Sequence, residues 1–388
     1  MLAMQQSPMR QVPFNRPYMT GRELHYIAKA QMNSQLAGDG SFTKQCQTWL
    51  KELGGSHSAL LTHSCTAALE MAAILSEIGP GDEVILPSYT FVSTANAFVL
   101  RGATPVFVDI RPDTLNLDES QIEAAITHKT KAIVPVHYAG YGCDMDAIMR
   151  IAKEYDLLVI EDAAQACMAR YNGKSLGSIG HLGCYSFHET KNIISGEGGA
   201  LLINDPRFME RAEIIREKGT NRSRFFRGQV DKYTWVDTGS SFLPGEIIAA
   251  FLWAQIEEAR AISDARLRLW DRYYEAFAAL ELQFKSASRP PVVPGLEQNA
   301  HMFYLLNRSA KPRDQIIADL RARGVSAVFH YVPLHSSPYG KAHGRAAGPL
   351  SVTDHVSENL IRLPLWNGMQ AEDQDQVIEA VYQAFASK

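Results

Sequence analysis

Lys191 is the residue whose surroundings point most clearly to chemistry. It lies in the segment 186–192, SFHETKN, after a strand-like run and before a glycine-rich turn. Twenty-nine positions upstream, Asp162 follows the apolar run 157–160. A lysine on a loop can hold an aldehyde as an imine, and a carboxylate at a strand end can keep a pyridine nitrogen protonated. Together the two residues predict pyridoxal 5'-phosphate (PLP) as cofactor.

A phosphate site is predicted in the segment 60–70, LLTHSCTAALE, where a strand end, a hydroxyl-rich turn and a helix start follow one another. Free amides at a helix N-terminus bind anions, and Ser64 and Thr66 would add hydroxyls. Ser64 acting only as a helix cap is the alternative.

The other candidates also have structural interpretations. Asp162 and Gln165, in the sequence DAAQ, match a capping box, although Gln165 could instead bond the cofactor's phenolic oxygen. Lys191 could be a solvated lysine, because a reactive amine needs a pKa below the usual value of roughly 10.4. Phe91 could stack on the pyridine ring or belong to the core.

Two regions could contact a substrate. The segment 221–233, NRSRFFRGQVDKY, combines cations with aromatic rings and could hold a diphosphate and stack a base, or be a solvated basic loop. Its candidate contacts are Arg222, Arg224, Lys232 and Tyr233. His330, Tyr331 and His335 follow a strand-like run and could line a substrate cleft or form interdomain contacts.

The elements around these residues suggest how they are positioned. Between residues 58 and 205, short apolar runs alternate with helical patterns, which predicts βαβ units and a mostly parallel sheet covered by helices on both faces. Ligands bind such sheets at the carboxyl ends of the strands. Strands are predicted at 84–86, 106–108, 133–136 and 157–160, and helices at 66–75 and 144–155.

The chain of 388 residues suits a large domain and a smaller one. We divide it into an N-terminal arm (1–25), a large cofactor-binding domain (26–246), a connecting helical region (247–285) and a small C-terminal domain (286–388). A long helical stretch is expected at 247–280. In the small domain, strands are predicted at 302–306 and 327–331 and a helix at 314–323.

Composition excludes several classes of protein. The net charge of -4 gives no general attraction to nucleic acid or anionic membranes. No apolar stretch is long enough to span a bilayer, and residues 1–10 lack a signal core, so a cytoplasmic location is expected. Five scattered cysteines without a CxxC pair, and Asn192 where HExxH would need histidine, argue against a disulfide framework or a metal site.

Taken together, the motifs resemble the DegT/StrS family of sugar-nucleotide aminotransferases, which are fold-type I PLP enzymes. The resemblance is carried by SFHETKN, EDAAQ, SCTAALEMA and PSYTFVSTANAFVLRGA, and it extends from about residue 12 to the C-terminus. The segments AHMFY, VFHYVPLH, EIIREKGTNRS and FFRGQVDKYTW are most similar to members that aminate a dTDP-linked 4-keto-6-deoxy sugar.

The resemblance implies an α/β fold in which a large domain has a mostly parallel sheet between helices, followed by a smaller C-terminal α/β domain. It implies that Lys191 is the catalytic lysine, bound to the cofactor's aldehyde, that Asp162 pairs with the ring nitrogen, and that Gln165 supports the ring oxygen. The remaining implied contacts to the cofactor are Phe91 on the ring face and, around the phosphate, Ser64, the amide of Cys65, and Ser186.

The resemblance also implies a homodimer with active sites at the subunit interface. Many members carry an asparagine that reaches the neighbour's phosphate, where this chain has the shorter Ser241. The implied substrates are L-glutamate and a dTDP-keto sugar, with the segment 222–233 contacting the nucleotide. Another keto sugar, the opposite stereochemistry, or a PLP-binding regulator without turnover are the alternatives.

Overall fold

Apolar runs between residues 58 and 203 form strands in the computed structural model, which describes residues 10–386. Of the predicted strand at 133–136, only Ile133 lies in a strand, because that strand covers Thr130–Ile133. Within the described residues, the strands are β1 (Ser58–Thr62), β2 (Glu83–Pro87), β3 (Thr104–Val108), β4 (Thr130–Ile133), β5 (Leu158–Asp162), β6 (Arg170–Tyr171), β7 (Lys174–Ser175), β8 (Leu182–Ser186), β9 (Gly199–Ile203), β10 (Ala287–Ser288), β11 (Leu296–Glu297), β12 (Phe303–Asn307), β13 (Arg345–Ala346) and β14 (Leu360–Leu363).

Eight of these strands form a central sheet in the order β1-β9-β8-β5-β4-β2-β3-β13. The pairs from β8 to β13 are parallel, whereas β9 is antiparallel to both β1 and β8. The first residue of β9 therefore lies at the edge where its neighbours end. The register pairs Gly199 with both Thr62 and Ser186. The predicted mostly parallel α/β sheet is confirmed.

Helices cover both faces of this sheet. Along β2, Val84 and Leu86 pack against α3 and α4, while Ile85 packs on the other face against α6. Within the described residues, the helices are α1 (Glu23–Met32), α2 (Ser41–Gly54), α3 (Cys65–Leu75), α4 (Val92–Val99), α5 (Ile122–Ala125), α6 (Met145–Glu154), α7 (Met209–Arg216), α8 (Arg222–Phe226), α9 (Glu246–Glu257), α10 (Ala259–Ala276), α11 (Ala278–Leu282), α12 (Arg313–Ala322), α13 (Pro338–His343), α14 (Ser351–Asn359) and α15 (Ala371–Ala386).

A second, antiparallel sheet of three strands, β10-β12-β14, forms the core of the C-terminal part. Helices α10, α12 and α15 pack on it in one hydrophobic cluster. The predicted strand at 302–306 and helix at 314–323 are present, each shifted by one residue. The predicted strand at 327–331 is wrong, because only Val328 pairs there, with Arg362 of β14, and the apolar side chains of Phe329 and Val332 are exposed.

Two elements pack across the predicted boundaries. The expected long helix at 247–280 is divided into α9, α10 and α11, and α9 packs into the large core with α1 and α2. The C-terminal region is not confined to the smaller sheet, because β13 adds to the edge of the central sheet beside β3. Of the predicted N-terminal arm, residues 1–9 lie outside the described residues. Between residues 10 and 386, no helix has the length and apolar character to cross a bilayer.

Candidate active site

The carboxyl-terminal edge of the central sheet opens into a cavity of about 510 Å³. Its lining comes from strand ends and from the starts of α3 and α4 and, in the C-terminal part of the chain, from β14 and the segment 330–331. The cavity brings together most of the residues that the sequence singles out, namely Ser64, Cys65, Phe91, Asp162, Gln165, Ser186, Lys191, His330 and Tyr331.

Asp162 is the last residue of β5 and is buried at the floor of this cavity. Its Oδ2 accepts a hydrogen bond of 2.7 Å from the Thr94 hydroxyl, and its Oδ1 accepts one of 3.1 Å from the Ala164 amide. A carboxylate has about four acceptor positions, so part of its capacity is left for a further donor. The chain turns after Asp162 without starting a helix, which excludes the capping-box interpretation.

Gln165 likewise does not begin a helix. Its Oε1 accepts a hydrogen bond of 2.6 Å from the Ala139 amide, and its Nε2 donates one of 2.8 Å to the Tyr331 hydroxyl. These two bonds fix the amide group at the cavity wall. Its second Nε2 hydrogen can serve a further acceptor.

Lys191 lies in the hairpin that connects β8 and β9, where its backbone amide donates to the His188 carbonyl at 2.9 Å. Burial lowers the pKa of the Lys191 amine, and the positive charge of Arg362 lowers it further, against opposing effects of Cys65 and Asp162. A lowered pKa increases the fraction of neutral amine, the form that attacks an aldehyde. Lys191 is half-buried and lines the cavity, and its role as the imine-forming lysine stays a prediction.

The start of α3 forms the other end of the cavity. Ser64 is its N-cap and accepts a hydrogen bond of 3.0 Å from the Ala67 amide, so the predicted cap is present. Gly199 lies so close that an added Cβ would be 2.4 Å from the Cys65 nitrogen. Ser186, the register partner of Gly199, lines the same cavity as the start of α3. Such amides have no partner within their helix and can bind an anion.

Aromatic side chains line the side of the cavity. Phe91 precedes α4 and is 57% exposed, so it is not a core residue, and its ring centroid lies 6.4 Å from that of Tyr331. Tyr331 in turn stacks on His330 at 3.6 Å. The Nδ1 of His330 bonds the Tyr138 hydroxyl at 2.7 Å, and burial lowers the pKa of His330 well below its ordinary value. His330 thus both lines the cavity and satisfies an interdomain contact.

The other candidates lie away from this cavity in the described chain. His335 bonds Ser88 at 2.7 Å and lies 3.3 Å from Asp354, as an interdomain polar group would. The cationic segment is largely exposed, with Arg224 paired to Glu210 at 3.0 Å. The candidates outside the cavity wall are Arg222, Arg224, Lys232, Tyr233, Ser241 and His335. Their roles in substrate or phosphate binding stay predictions.

Two arginines in the cavity wall, Arg266 and Arg362, were not predicted from the sequence. Arg266 of α10 donates to the carbonyls of Ala300 and His301 at 3.0 and 2.8 Å, and burial lowers its pKa to about 9. Arg362 of β14 is half-buried with its Nε enclosed, and desolvation lowers its pKa. A charged residue inside the apolar sequence LIRLPL could have signalled Arg362, whereas Arg266 is one of several arginines in its helix.

These residues fit PLP. A buried carboxylate with spare acceptor capacity suits a protonated ring nitrogen, and an amine with a lowered pKa suits an aldehyde. The free amides of α3 suit the phosphate. Between residues 10 and 386, no three histidine, cysteine or acidic side chains gather where they could hold a metal ion.

Comparison with known proteins places this geometry among aminotransferases. The sequence model of the DegT/DnrJ/EryC1/StrS aminotransferase family matches residues 17–382. An uncharacterized protein of Methanocaldococcus jannaschii is 34% identical over 376 residues, which cover 95% of this chain and 96% of the relative.

Solved structures agree with that match. The aminotransferase TlmJ of Streptoalloteichus hindustanus has a TM-score of 0.88 at 28% identity, covering 97% of this chain and 99% of that one. Spr1654 of Streptococcus pneumoniae, named by inference as a sugar aminotransferase, has a TM-score of 0.88 at 27% identity, covering 97% and 98%. Spr1654 has been solved in forms with PLP and with PMP, its aminated form. The fold-type I prediction is confirmed.

Proposed function

The chain belongs to the DegT/DnrJ/EryC1/StrS aminotransferase family, with PLP as cofactor, and from this premise we propose its substrates. L-Glutamate donates an amino group to the 4-keto carbon of dTDP-4-keto-6-deoxyglucose. The product is dTDP-4-amino-4,6-dideoxygalactose, a precursor for surface polysaccharide such as enterobacterial common antigen or O-antigen. The similarity of FFRGQVDKYTW and VFHYVPLH to members that use this acceptor supports the assignment.

The observation that carries amino transfer is the meeting of Lys191, Asp162 and the start of α3 in one cavity. The three groups come from separate parts of the chain, and the strand register brings them to one edge of the sheet. Each group, when taken alone, also has a purely structural interpretation. Their convergence supports a single site for an aldehyde, a ring nitrogen and a phosphate.

The roles of the side chains follow from their surroundings. When bound, PLP supplies an aldehyde that condenses with amines and a ring that accepts the electrons left on the donor's α-carbon. The Lys191 amine can take the α-proton as general base and return it as general acid, since its pKa is lowered by burial. Asp162, oriented by Thr94, keeps a proton on the ring nitrogen. Gln165 has one amide hydrogen left for the ring oxygen.

We assign the acceptor's nucleotide to the segment 222–233 of a neighbouring subunit in a homodimer. Its cations and rings are exposed, with Phe225 and Tyr233 5.7 Å apart and Arg222 5.1 Å from the ring of Phe226. Exposed apolar side chains in such number favour an interface. Guanidinium groups suit a diphosphate and aromatic rings suit a base. Ser241 would approach the neighbour's cofactor from the same side.

The test is incubation of the purified holoenzyme with dTDP-4-keto-6-deoxyglucose and L-glutamate, followed by mass spectrometry and NMR of the products. We expect equal amounts of 2-oxoglutarate and of the dTDP-linked 4-amino sugar with the galacto configuration. The gluco configuration, or reaction only with another keto sugar, would contradict the proposed product. Cofactor binding without either product would point to a regulator.

A variant of the cationic segment tests the acceptor side. We expect Arg224→Ala to weaken use of the sugar nucleotide by about tenfold, because a guanidinium contact to phosphate contributes on the order of 1.5 kcal/mol or more. The half-reaction with L-glutamate should be unchanged. Arg207→Ala, which removes an exposed arginine paired with Asp205, is the matched control. Equal loss in both half-reactions would contradict the assignment.

A further inference from the structure

Asn192 anchors the hairpin directly after Lys191. The preceding positions 188–191 are exposed or half-buried, whereas Asn192 is 6% exposed. Its Nδ2 donates a hydrogen bond of 2.7 Å to the carbonyl of Asn299, which is 107 positions further along the chain. Its Oδ1 lies 3.1 Å from Nδ1 of His301. The backbone next to Lys191 is therefore tied to the C-terminal part of the chain.

The second partner, His301, is a neutral histidine with one defined tautomer. It is buried and lines the cavity together with Lys191. Burial holds the pKa of His301 well below its ordinary value, and the positive charge of Lys191 lowers it further. A neutral imidazole carries one N–H. Because Oδ1 of Asn192 can only accept, that hydrogen is on Nδ1, and His301 donates to Asn192.

The segment 299–301, to which Asn192 is bonded, is itself fixed by other elements. The side-chain amide of Asn299 donates to two carbonyls of the turn after β5, both at 2.9 Å. Arg266 of α10 holds the next two carbonyls of the segment. Ala300 has a φ of 50°, in the left-handed region that residues with a Cβ seldom adopt. Such a conformation persists only where the surrounding contacts determine it, so the segment is a firm anchor.

We propose that Asn192 and His301 are positioning residues, which hold the amine of Lys191 inside the cavity, where it forms the imine. Without this anchor, the exposed hairpin could carry the amine toward solvent. Because His301 is neutral, it fixes the hairpin without placing another positive charge beside the amine. This inference rests on the proposed function only in that Lys191 is the imine-forming lysine.

The test follows PLP loading of the full-length, cofactor-free protein through the absorbance of the imine at a series of pH values. We expect Asn192→Ala and His301→Leu each to slow loading at neutral pH about tenfold, because each removes a buried hydrogen bond. The pH of half-maximal loading rate should rise, since a more solvated amine keeps its proton to higher pH. His301→Gln, which is neutral and keeps an N–H donor, should restore most of the rate.

The matched controls are Asn204→Ala and His181→Leu. Asn204 bonds the carbonyls of Gly177 and Gly180, and His181 accepts a hydrogen bond from the Val159 amide just before the start of β8, away from the cavity. Both variants remove a half-buried polar side chain and should load PLP as wild type does.

Coupling between the two residues separates positioning from a general loss of stability. A variant combining Asn192→Ala with His301→Leu should load PLP no more slowly than Asn192→Ala alone, because both changes break one contact. Additive losses, or an unchanged pH of half-maximal rate in a folded variant, would overturn the proposal. If Asn192→Ala or His301→Leu does not fold, Asn192→Ser is measured against the same outcomes.

Borohydride reduction and peptide mapping of the PLP-loaded wild type keep this proposal distinct from the proposed function. A label on Lys191, with variants that load PLP as wild type does, would contradict only the positioning role. A label on another lysine would contradict the role of Lys191 itself.

Discussion

At the scale of single residues, burial gives the two central groups of the cavity their properties. Asp162 keeps its carboxylate in place through Thr94 and Ala164, while desolvation makes the amine of Lys191 easier to deprotonate. The residue types could be predicted from the sequence, because an acid and a lysine follow strand-like runs. The lowered pKa of Lys191 could not, since it depends first on burial by the cavity walls and then on the charge of Arg362, which is 171 positions away in the chain.

The lowered pKa of Lys191 predicts how the stability of the cofactor-free protein depends on pH. Between the lowered value and roughly 10.4, the unfolded chain binds a proton that the folded chain does not, so the free energy of unfolding rises with pH. The slope from this group is at most about 1.4 kcal/mol per pH unit. The stability deficit of wild type relative to Lys191→Met should therefore shrink as pH rises through this window. Chemical denaturation of both proteins at several pH values measures it, and parallel curves would exclude the effect.

At the scale of elements, the site depends on a reversed strand. Because β9 runs against β1 and β8, its first residue meets the ends of both, and the hairpin that carries Lys191 stays beside the start of α3. The sequence showed a glycine-rich turn here, but the direction of β9 and its place between β1 and β8 follow from pairing across the sheet. Helix propensity likewise does not predict the break at Glu258 between α9 and α10, since the segments on both sides have a helical pattern.

Gly199 is the position where this arrangement can be tested. In Gly199→Ala the new Cβ would lie 2.4 Å from backbone atoms of Ser64 and Cys65, so the start of α3 must move. We expect a loss of roughly 1–3 kcal/mol in the free energy of unfolding, as in other overpacked sites, together with weaker PLP binding. Denaturation and titration with PLP measure the two effects.

The matched control is Gly79→Ala, because no atom lies within 4 Å of its added Cβ. It should leave PLP binding unchanged and stability equal or slightly higher. If Gly199→Ala bound PLP as tightly as this control, the start of α3 would not be the phosphate site.

At the scale of the whole molecule, the separation of the cationic segment from the cavity has a direct consequence. One chain supplies Lys191, Asp162 and the two cavity arginines, but its segment 222–233 does not line the cavity. Under the proposed homodimer, each active site would take its nucleotide contacts from the other subunit. The family resemblance implies this sharing of active sites between subunits, which no pattern within a single chain could predict.

Mixing two inactive variants tests the sharing. Lys191→Ala should lack transfer, and a variant combining Arg222→Ala with Arg224→Ala should bind the acceptor poorly. After subunit exchange, half of the dimers are mixed and each has one intact site, so activity should recover to about a quarter of wild type. Differently tagged subunits verify the exchange. No recovery in verified mixed dimers would show that each chain uses its own segment.

The short strand β13 limits how this protein could be recombined with its relatives. It returns from the C-terminal region to cover the open side of β3, and Arg345 anchors it there through two hydrogen bonds to Glu83, of 2.7 and 3.0 Å. A chimera that exchanged everything after α11 would also replace β13, the strand that covers the edge of β3. If the replacement segment lacked an arginine matching Arg345, the edge of β3 would be left unpaired and the chimera would aggregate through it. Assays of the catalytic residues would not predict this loss of solubility.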